Sequence, residues 1–325
     1  MPQISFREAL RAAMVEEMER DENVFLMGEE VAEYNGAYKV SEGMLAKFGP
    51  RRVIDTPISE TGFAGLGIGA AMTGLRPIIE FMSWSFSFVC FDQIVNNAAN
   101  IRYMSGGQFK IPIVFRGGNG FAHQLGATHS HRTEALWSRT PGLVVVAPAT
   151  PYDAKGLLKT SIRCDDPVCF LESEKLLNDK GEVPEGEYTL PISVADIKRP
   201  GGDITLVCWS QTVKVCLRAA DLLAREGIEA EVIDLRTLRP LDEQCVIDSV
   251  TKTHRLLIVD EDWPYCGMGA GIMAQIYEKV FDELDAPIGR ICAEDTPVPF
   301  NHYLEMDMRP SPEKVVKKAK ELCYR

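Results

Sequence analysis

The sequence lacks the features that define several protein classes. Its nine cysteines include no C-x-x-C pair, and no histidine stands at zinc-finger spacing from them, so we expect no structural zinc. The longest uncharged stretch, residues 61–75, is glycine-rich and shorter than the roughly 20 apolar residues of a membrane helix. Asp and Glu (47) outnumber Lys and Arg (35), and the net charge of −12 repels phosphate backbones. We therefore expect neither a membrane protein nor a nucleic-acid-binding protein.

The N-terminal residues resemble no targeting segment, because they contain neither a basic region nor an apolar core. The odd number of scattered cysteines, most of them in apolar runs, suits a reducing compartment. We expect a bacterial cytoplasmic protein, and a mature mitochondrial matrix protein is the less favoured alternative.

Short apolar runs alternate with helical patterns along most of the 325 residues. The runs are uniformly apolar, which is typical of parallel strands covered on both faces. Predicted strands lie at 24–27, 53–54, 77–82, 111–115, 143–147, 168–171, 204–209, 230–235, 256–259 and 288–293, and predicted helices include 60–73, 86–104 and 152–163. Residues 179–202 are rich in Gly and Pro, as linkers are. The predicted fold is α/β, with two doubly wound parallel-sheet domains at 1–178 and 203–325.

Two helices carry clear start signals in the sequence. Ser5 and Glu8 have the spacing of a capping box, and Ser311 followed by Pro312 is a cap residue before a proline in the first helical turn.

Two glycine-rich segments, 65–69 and 267–271, open predicted helices. Neither completes the G-x-G-x-x-G fingerprint of dinucleotide binding, because Ala70 and Ile272 replace the third glycine. The favoured interpretation is that these glycines let a helix approach its neighbours closely.

Glu60 and three histidines are the candidates for chemistry. Glu60 follows a strand and begins a helix, which places it at the sheet edge where ligands bind in parallel α/β folds. The alternative is an acidic residue that stabilises the helix start through the dipole. His123, His129 and His131 share one loop, and one catalytic histidine with two bystanders is favoured over a metal site.

Together these segments resemble the beta subunits of the thiamine-diphosphate-dependent 2-oxo acid dehydrogenases. The resemblance runs nearly end to end and rests on GEEV at 28–31, GAYKV at 36–40, DTPISETGFAG at 55–65, FDQI at 91–94, MSGG at 104–107, PIVFRG at 112–117, DAKGL at 153–157, EVIDLRT at 231–237 and DTP at 295–297.

The resemblance implies an aminopyrimidine-binding domain followed by a transketolase C-terminal-like domain. It also implies an alpha subunit in an α2β2 heterotetramer and a dihydrolipoyl acyltransferase partner. Thiamine diphosphate would be shared with the alpha subunit, which would hold the magnesium, since this chain has no Gly-Asp-Gly segment of the family's diphosphate site.

The resemblance also assigns roles to four residues. Glu60 is expected to contact N1′ of the aminopyrimidine as a protonated carboxyl group, which requires a dry site. Phe86 is expected to line the aminopyrimidine pocket, with plain core packing as the alternative. Glu29, which with Glu30 forms an acidic pair near the subunit interface, is expected among the cofactor-binding residues. His129 is expected at the reacting end of the cofactor, with His131 as its competitor.

A potassium ion is a further implication of the resemblance. Its expected ligands are the main-chain oxygens of Ile113, Ser161, Cys164 and Asp166. A helix that ends near Arg163 leaves free carbonyl groups, and an ordinary helix end is the alternative interpretation.

The expected activity is thiamine-diphosphate-dependent decarboxylation of a 2-oxo acid and reductive acylation of a lipoyl group. Glu80-Phe81-Met82 followed by Phe86 is similar to the pyruvate-specific members, so pyruvate is the expected substrate. Branched-chain 2-oxo acids and acetoin remain alternatives, as does a non-catalytic nucleotide-binding subunit.

Overall fold

Two mainly parallel β-sheets form the framework of the chain, described for residues 2–325 by a computed structural model. The strands are β1 (Gln3–Ser5), β2 (Val24–Gly28), β3 (Val53–Asp55), β4 (Arg76–Ser83), β5 (Val114–Gly118), β6 (Val144–Val146), β7 (Val168–Glu172), β8 (Lys180–Glu182), β9 (Asp196–Arg199), β10 (Ile204–Cys208), β11 (Ala230–Asp234), β12 (Thr237–Arg239), β13 (Leu256–Val259) and β14 (Gly289–Ile291). The α-helices are α1 (Phe6–Arg20), α2 (Met44–Phe48), α3 (Glu60–Met72), α4 (Ile101–Met104), α5 (Glu134–Ser138), α6 (Pro151–Arg163), α7 (Thr212–Ala224), α8 (Glu243–Thr253), α9 (Met268–Val280), α10 (His302–Met308) and α11 (Pro312–Leu322).

The first sheet has the strand order β12-β6-β7-β5-β4-β2-β3, and only β12 is antiparallel to its neighbour. The second sheet has the order β14-β13-β10-β11-β9, with β9 antiparallel. The predicted α/β class with two parallel-sheet units is therefore confirmed. Strands β5, β7, β10 and β11 are buried along their whole length, as expected of strands covered on both faces, although β5, β7 and β11 also bury charged residues.

The two units interlock more closely than a linker between separate domains would require. Strand β12 belongs to the second half of the sequence but pairs with β6 of the first sheet. The segment predicted as a linker, 179–202, contributes β8, which pairs with β1, and β9, the edge of the second sheet. One hydrophobic core is continuous from Phe81 and Trp84 to Trp209 and Ile258. The boundaries 1–178, 179–202 and 203–325 stay a prediction.

The start signals of α1 and α11 are confirmed. The Ser5 side chain accepts a hydrogen bond from the backbone N–H of Glu8, whose carboxylate accepts from the backbone N–H of Ser5. Ser311 caps α11 through the backbone N–H of Lys314, and Pro312 occupies the first turn.

The predicted continuous helix over 86–104 is wrong. This stretch contains a 3₁₀ turn (Trp84–Phe88), a π-helical turn (Gln93–Ala98) and the short α4. Local side-chain hydrogen bonds compete with the regular helix: Ser83 caps the first turn, and the Asn100 amide donates to the Val95 carbonyl. The strand predicted at 111–115 begins later, at Val114, because the amides of Ile111 and Ile113 bond outside the sheet.

The nine cysteines are all free thiols. Within residues 2–325, no helix combines the length and the apolar character required to span a bilayer.

Candidate functional site

Glu60 lies at the carboxyl edge of the first sheet. It is the first residue of α3, and its side chain is buried, with the residue only 5% exposed. The preceding loop is held in place by Asp55, whose carboxylate accepts the backbone N–H groups of Ala32 and Glu33 at 2.7 and 3.0 Å. The helix dipole favours a negative charge at this position. A buried carboxyl group is thus fixed at the edge where parallel sheets bind ligands.

Glu29 is the neighbour of Glu60 and gives the site its electrostatic character. It directly follows β2 and is 6% exposed, and its Oε1 atom is buried without a hydrogen-bond partner. Burial and the adjacent Glu60 carboxylate raise the pKa of Glu29 to about 7. Within residues 2–325, no basic side chain forms an ion pair with either carboxylate.

This pair is a place where a proton is held near neutral pH. Two carboxylates close together in a dry site resist losing both protons, and the retained proton belongs to the pair. A protonated carboxyl group can donate a hydrogen bond to a ring nitrogen, whereas an ionised one can only accept. The unpartnered Glu29 oxygen is the kind of buried polar atom that a ligand or a water satisfies.

Phe86 and His129 meet beside this edge of the sheet. Phe86 lies half-buried in the 3₁₀ turn after β4, and its ring contacts the His129 imidazole edge-on, with ring centroids 5.0 Å apart. The His129 side chain is exposed, and its Nδ1 lies 2.9 Å from the Thr128 hydroxyl. The two residues therefore form one exposed aromatic corner, in which the imidazole is free to meet a second molecule.

His131 has a different environment from His129. Its ring contacts Phe88 at 5.1 Å and Trp263, from the second half of the chain, at 6.4 Å. Its Nδ1 is buried without a hydrogen-bond partner, and burial lowers its pKa, so the neutral imidazole is favoured at pH 7. His123 is exposed on the same loop.

A cavity of about 330 Å³ lies between this loop and the second half of the chain. It is lined by Ala127, Thr128, His131, Trp263 and residues 295–297. The Trp263 indole N–H donates to the Thr296 carbonyl at 2.8 Å. Trp263 carries no signal in the sequence, since it lies more than 130 positions from the histidine loop.

The glycine-rich segments serve close packing. A Cβ atom at Gly67 would lie 2.7 Å from the Ile79 side chain, and one at Gly269 would lie 2.3 Å from the Asp260 carboxylate. In α9 the first free N–H groups are already taken by carboxylates: Asp262 accepts from Met268 and Asp260 from Gly269. Both segments therefore behave as the favoured interpretation requires.

The carbonyl groups expected to bind potassium lie near the end of α6. The Cys164 carbonyl accepts a hydrogen bond from Arg76 Nη1 at 3.1 Å, and the Ile113 carbonyl accepts the Val168 N–H. The Ser161 carbonyl accepts the Cys164 N–H. The Asp166 side chain forms an ion pair with Arg102. The Arg76 guanidinium thus supplies positive charge at this helix end, and potassium binding by Ile113, Ser161, Cys164 and Asp166 stays a prediction.

Magnesium ligands would have to be carboxylates or other oxygen donors. Across residues 2–325, no group of three or more His, Cys, Asp or Glu side chains is arranged to hold a metal ion.

Comparisons with known proteins match this chain along its whole length. Residues 2–180 match the model of the transketolase pyrimidine-binding domain, and residues 193–315 match that of the transketolase C-terminal domain. The chain is 53% identical over 322 residues to the pyruvate dehydrogenase E1 component subunit beta of Rickettsia felis, with 99% of each chain covered. It is 48% identical to the mitochondrial pyruvate dehydrogenase E1 component subunit beta of Dictyostelium discoideum, covering 99% of this chain and 92% of that one.

Among solved structures, a split-gene transketolase described as an inactive beta4 tetramer is similar in fold. The TM-score is 0.78 at 20% sequence identity, and the alignment covers 99% of this chain and 98% of that one.

Proposed function

The chain belongs to the family of pyruvate dehydrogenase E1 beta subunits, and from this premise we propose that it is the beta half of a thiamine-diphosphate-dependent enzyme that decarboxylates pyruvate and acetylates a lipoyl group. The observation that carries the proposal is the buried Glu29–Glu60 pair, which has no cationic partner in residues 2–325. Such a pair is costly unless a ligand uses it.

Glu60 would hold a proton toward N1′ of the aminopyrimidine, and Glu29 would keep that proton in the pair near neutral pH. The raised pKa of Glu29, about 7, supports this role because it matches the pH at which a proton must be both held and released. Phe86 would form a flat wall for the aminopyrimidine. When bound, thiamine diphosphate supplies an electron sink for the electron pair left as carbon dioxide departs.

His129 would act at the side of the site from which the lipoyl group enters. Its exposed imidazole can donate or accept a hydrogen bond, and it is contacted by the Phe86 ring and the Thr128 hydroxyl. His131 would form part of the wall of this entrance with Trp263, because its ring is packed between aromatic groups.

A partner alpha subunit would complete the active site in an α2β2 assembly. Three large apolar side chains around the start of α3, Ile58, Leu66 and Val89, are each more than half exposed, and we call them the apolar face. Exposed apolar groups next to a buried acidic pair indicate a surface that another molecule covers. The partner would also hold the diphosphate and its magnesium. The acyltransferase component would accept the acetyl group.

The relatives include bacterial and mitochondrial chains, and we propose a bacterial cytoplasmic location by analogy with the Rickettsia proteins. Branched-chain 2-oxo acids and acetoin are the alternative substrates, and a non-catalytic subunit is the alternative role.

The test uses the chain co-expressed with its native alpha partner. We expect pyruvate decarboxylation that requires both chains and thiamine diphosphate. Glu60→Gln should lower kcat by about 10²- to 10⁴-fold, the usual contribution of a positioned acid or base, without loss of the partner. Glu33→Gln is the matched control, since Glu33 is an exposed carboxylate on the neighbouring loop.

Wild-type turnover in Glu60→Gln would overturn the assigned role of Glu60. Turnover of branched-chain 2-oxo acids or acetoin in place of pyruvate would change the substrate, and an assembly that binds no thiamine diphosphate would overturn the function.

A further inference from the structure

The loop that carries the histidines, residues 119–132, is bonded to the second half of the chain, and we call it the histidine loop. Its Gln124 backbone N–H donates to Glu305 at 3.0 Å, and the Gln124 side-chain amide donates to the Phe300 carbonyl at 3.3 Å. Phe121 is buried in a small apolar cluster with Ala293, Val298 and Met308. The loop thus contacts both sheets, although its own sequence belongs to the first.

A buried carboxylate that two arginines share also attaches the loop to the second half of the chain. Glu261 follows β13, and its side chain is 3% exposed. It accepts from Arg309 Nε and Nη2 at 3.0 and 2.6 Å, and it forms an ion pair with Arg132 at the end of the histidine loop. The Phe121 ring contacts both guanidinium groups, with its centroid 5.7 Å from Arg132 Cζ and 5.2 Å from Arg309 Cζ. We call Arg132, Glu261, Arg309 and Phe121 the clamp.

Inside the loop there are other restraints: the ring of His129 contacts Phe86, and the ring of His131 contacts Phe88 and Trp263. The backbone carbonyl of His131 accepts a hydrogen bond from the Gly120 N–H, and the backbone N–H of His131 donates to the Ser85 hydroxyl at 3.2 Å. Gln124 and Gly126 have left-handed φ angles of 60° and 75°, so the backbone between the two ends of the loop turns sharply. The placement of His129 and His131 therefore depends on these contacts and on what holds the ends of the loop at Phe121 and Arg132.

Loss of the shared carboxylate would leave two buried guanidinium groups close to each other. Glu134 would remain with Arg132 at 3.0 Å, and Glu305 would remain 3.8 Å from Arg309. Each arginine would then lose the group that joins it to the other half of the clamp. Buried charges that lose a partner force local rearrangement, and we expect that rearrangement in the histidine loop, which ends at Arg132.

We propose that Glu261 is a positioning residue that sets the histidine loop against Phe86 through Arg132 and Arg309. It contacts neither the Glu29–Glu60 pair nor the exposed imidazole, so its effect passes through the loop. The link from loop position to turnover rests on the proposed function, whereas the link from Glu261 to loop order does not.

A second buried ion cluster provides a matched control because it joins the same two halves elsewhere. Asp153 of α6 is fully buried and pairs with Lys198 at 2.9 Å and with Arg236 at 2.6 Å. None of the hydrogen bonds or ion pairs of these three residues reaches residues 119–132. Asp153→Asn therefore weakens the contact between the halves without touching the clamp.

The experiment compares Glu261→Gln and Asp153→Asn in the assembly with the alpha partner. The first readout is hydrogen–deuterium exchange of peptides that cover residues 119–132. We expect exchange about tenfold faster in Glu261→Gln and unchanged in Asp153→Asn. The second readout is pyruvate turnover, and we expect kcat to fall about tenfold in Glu261→Gln with KM for pyruvate within about twofold, because the loop and not the acidic pair has moved.

Arg309→Lys is the second variant, should Glu261→Gln fail to assemble. It keeps the positive charge but loses the two-pronged contact with Glu261, and we expect an intermediate rise in exchange over the same residues. Unchanged exchange in the assembled clamp variants would overturn the proposal whatever the turnover. An equal rise of loop exchange in Asp153→Asn would also overturn it, since general loosening would then explain the result. Absence of pyruvate turnover in the wild type would contradict the proposed function and leave the exchange result to decide the clamp.

Discussion

Two acidic clusters lie one strand apart at the same edge of the first sheet, and they differ in whether a basic side chain pairs with them. Glu80 and Glu172 are buried on either side of Arg116, which donates two hydrogen bonds to Glu172 at 2.5 Å and also pairs with Glu80. Glu29 and Glu60 are buried to a similar degree and lie next to each other, and within residues 2–325 neither forms an ion pair with a basic side chain. In register, Gly28, the residue before Glu29, stands beside Glu80.

The difference separates carboxylates that hold the protein together from those available for chemistry. A buried acid with a guanidinium partner has its hydrogen bonds and its charge matched within the protein, so it offers a ligand little. A buried acid beside a second acid retains a proton near neutral pH and can exchange it. The apolar face lies next to the second cluster, so the unsatisfied pair is also the one that a partner can reach.

The largest expected effect comes from breaking the satisfied cluster. Arg116→Met leaves two buried carboxylates without a counter-ion, and we expect a loss of about 3–5 kcal/mol in the free energy of unfolding. Thermal unfolding of the cofactor-free assembly measures it. The control is Lys318→Met, whose solvent-exposed pair with Glu321 should contribute little to stability. Equal, small effects of the two variants would show that Arg116 does not hold this edge.

The sequence predicts many of the helices and strands but few of the contacts between distant residues. Ser5–Glu8 and Ser311–Pro312 are local signals, because a cap needs only residues within one helical turn, and both are confirmed. The position of Glu60 follows from the strand that precedes it. Residues 86–104 are ambiguous because their apolar spacing suits a helix while their Ser and Asn side chains favour turns.

Contacts between distant parts of the chain are not visible in the sequence. Glu261 and Arg132 lie 129 positions apart, and nothing in either neighbourhood identifies the other as its partner. Strand β12 joins the first sheet although its neighbours along the chain belong to the second. Such pairings depend on how the two sheets dock, which is settled by the whole core.

Removal of one charge from each cluster should change the free energy of unfolding by a smaller amount, with opposite sign for the two clusters. Glu172→Gln removes a charge that Arg116 needs, and we expect destabilisation of about 2 kcal/mol at pH 8. Glu29→Gln removes a buried charge that destabilises the folded chain, and we expect stabilisation on the order of 2 kcal/mol at pH 8. Chemical unfolding at one pH with both variants measures the difference. Destabilisation by both substitutions would mean that Glu29 has a counter-ion in solution.

The pH dependence of the Glu29 effect has a definite sign. The folded-state pKa of about 7 lies above the ordinary value of 4.5, so between these pH values the unfolded chain has lost a proton that the folded chain keeps. The contribution of Glu29 to stability is therefore fully present below pH 4.5 and is lost as the pH rises to 7. Glu29→Gln should match the wild type at pH 4.5 and exceed it at pH 8. A constant difference across this range would contradict the raised pKa.

The smallest expected effect concerns the apolar face beside the Glu29–Glu60 pair. Leu66→Ser changes a side chain of the apolar face that is 68% exposed, so it should leave the chain's own stability nearly unchanged. If the alpha partner buries Leu66, the lost apolar contact should weaken association by about tenfold, or roughly 1.4 kcal/mol. Leu75→Ser, three residues beyond the end of the same helix, is the control, and it should bind the partner as the wild type does. Titration of labelled partner into each variant measures both. Unchanged affinity of Leu66→Ser would place the partner elsewhere, and equal weakening by the two substitutions would show that the contact is not confined to the apolar face.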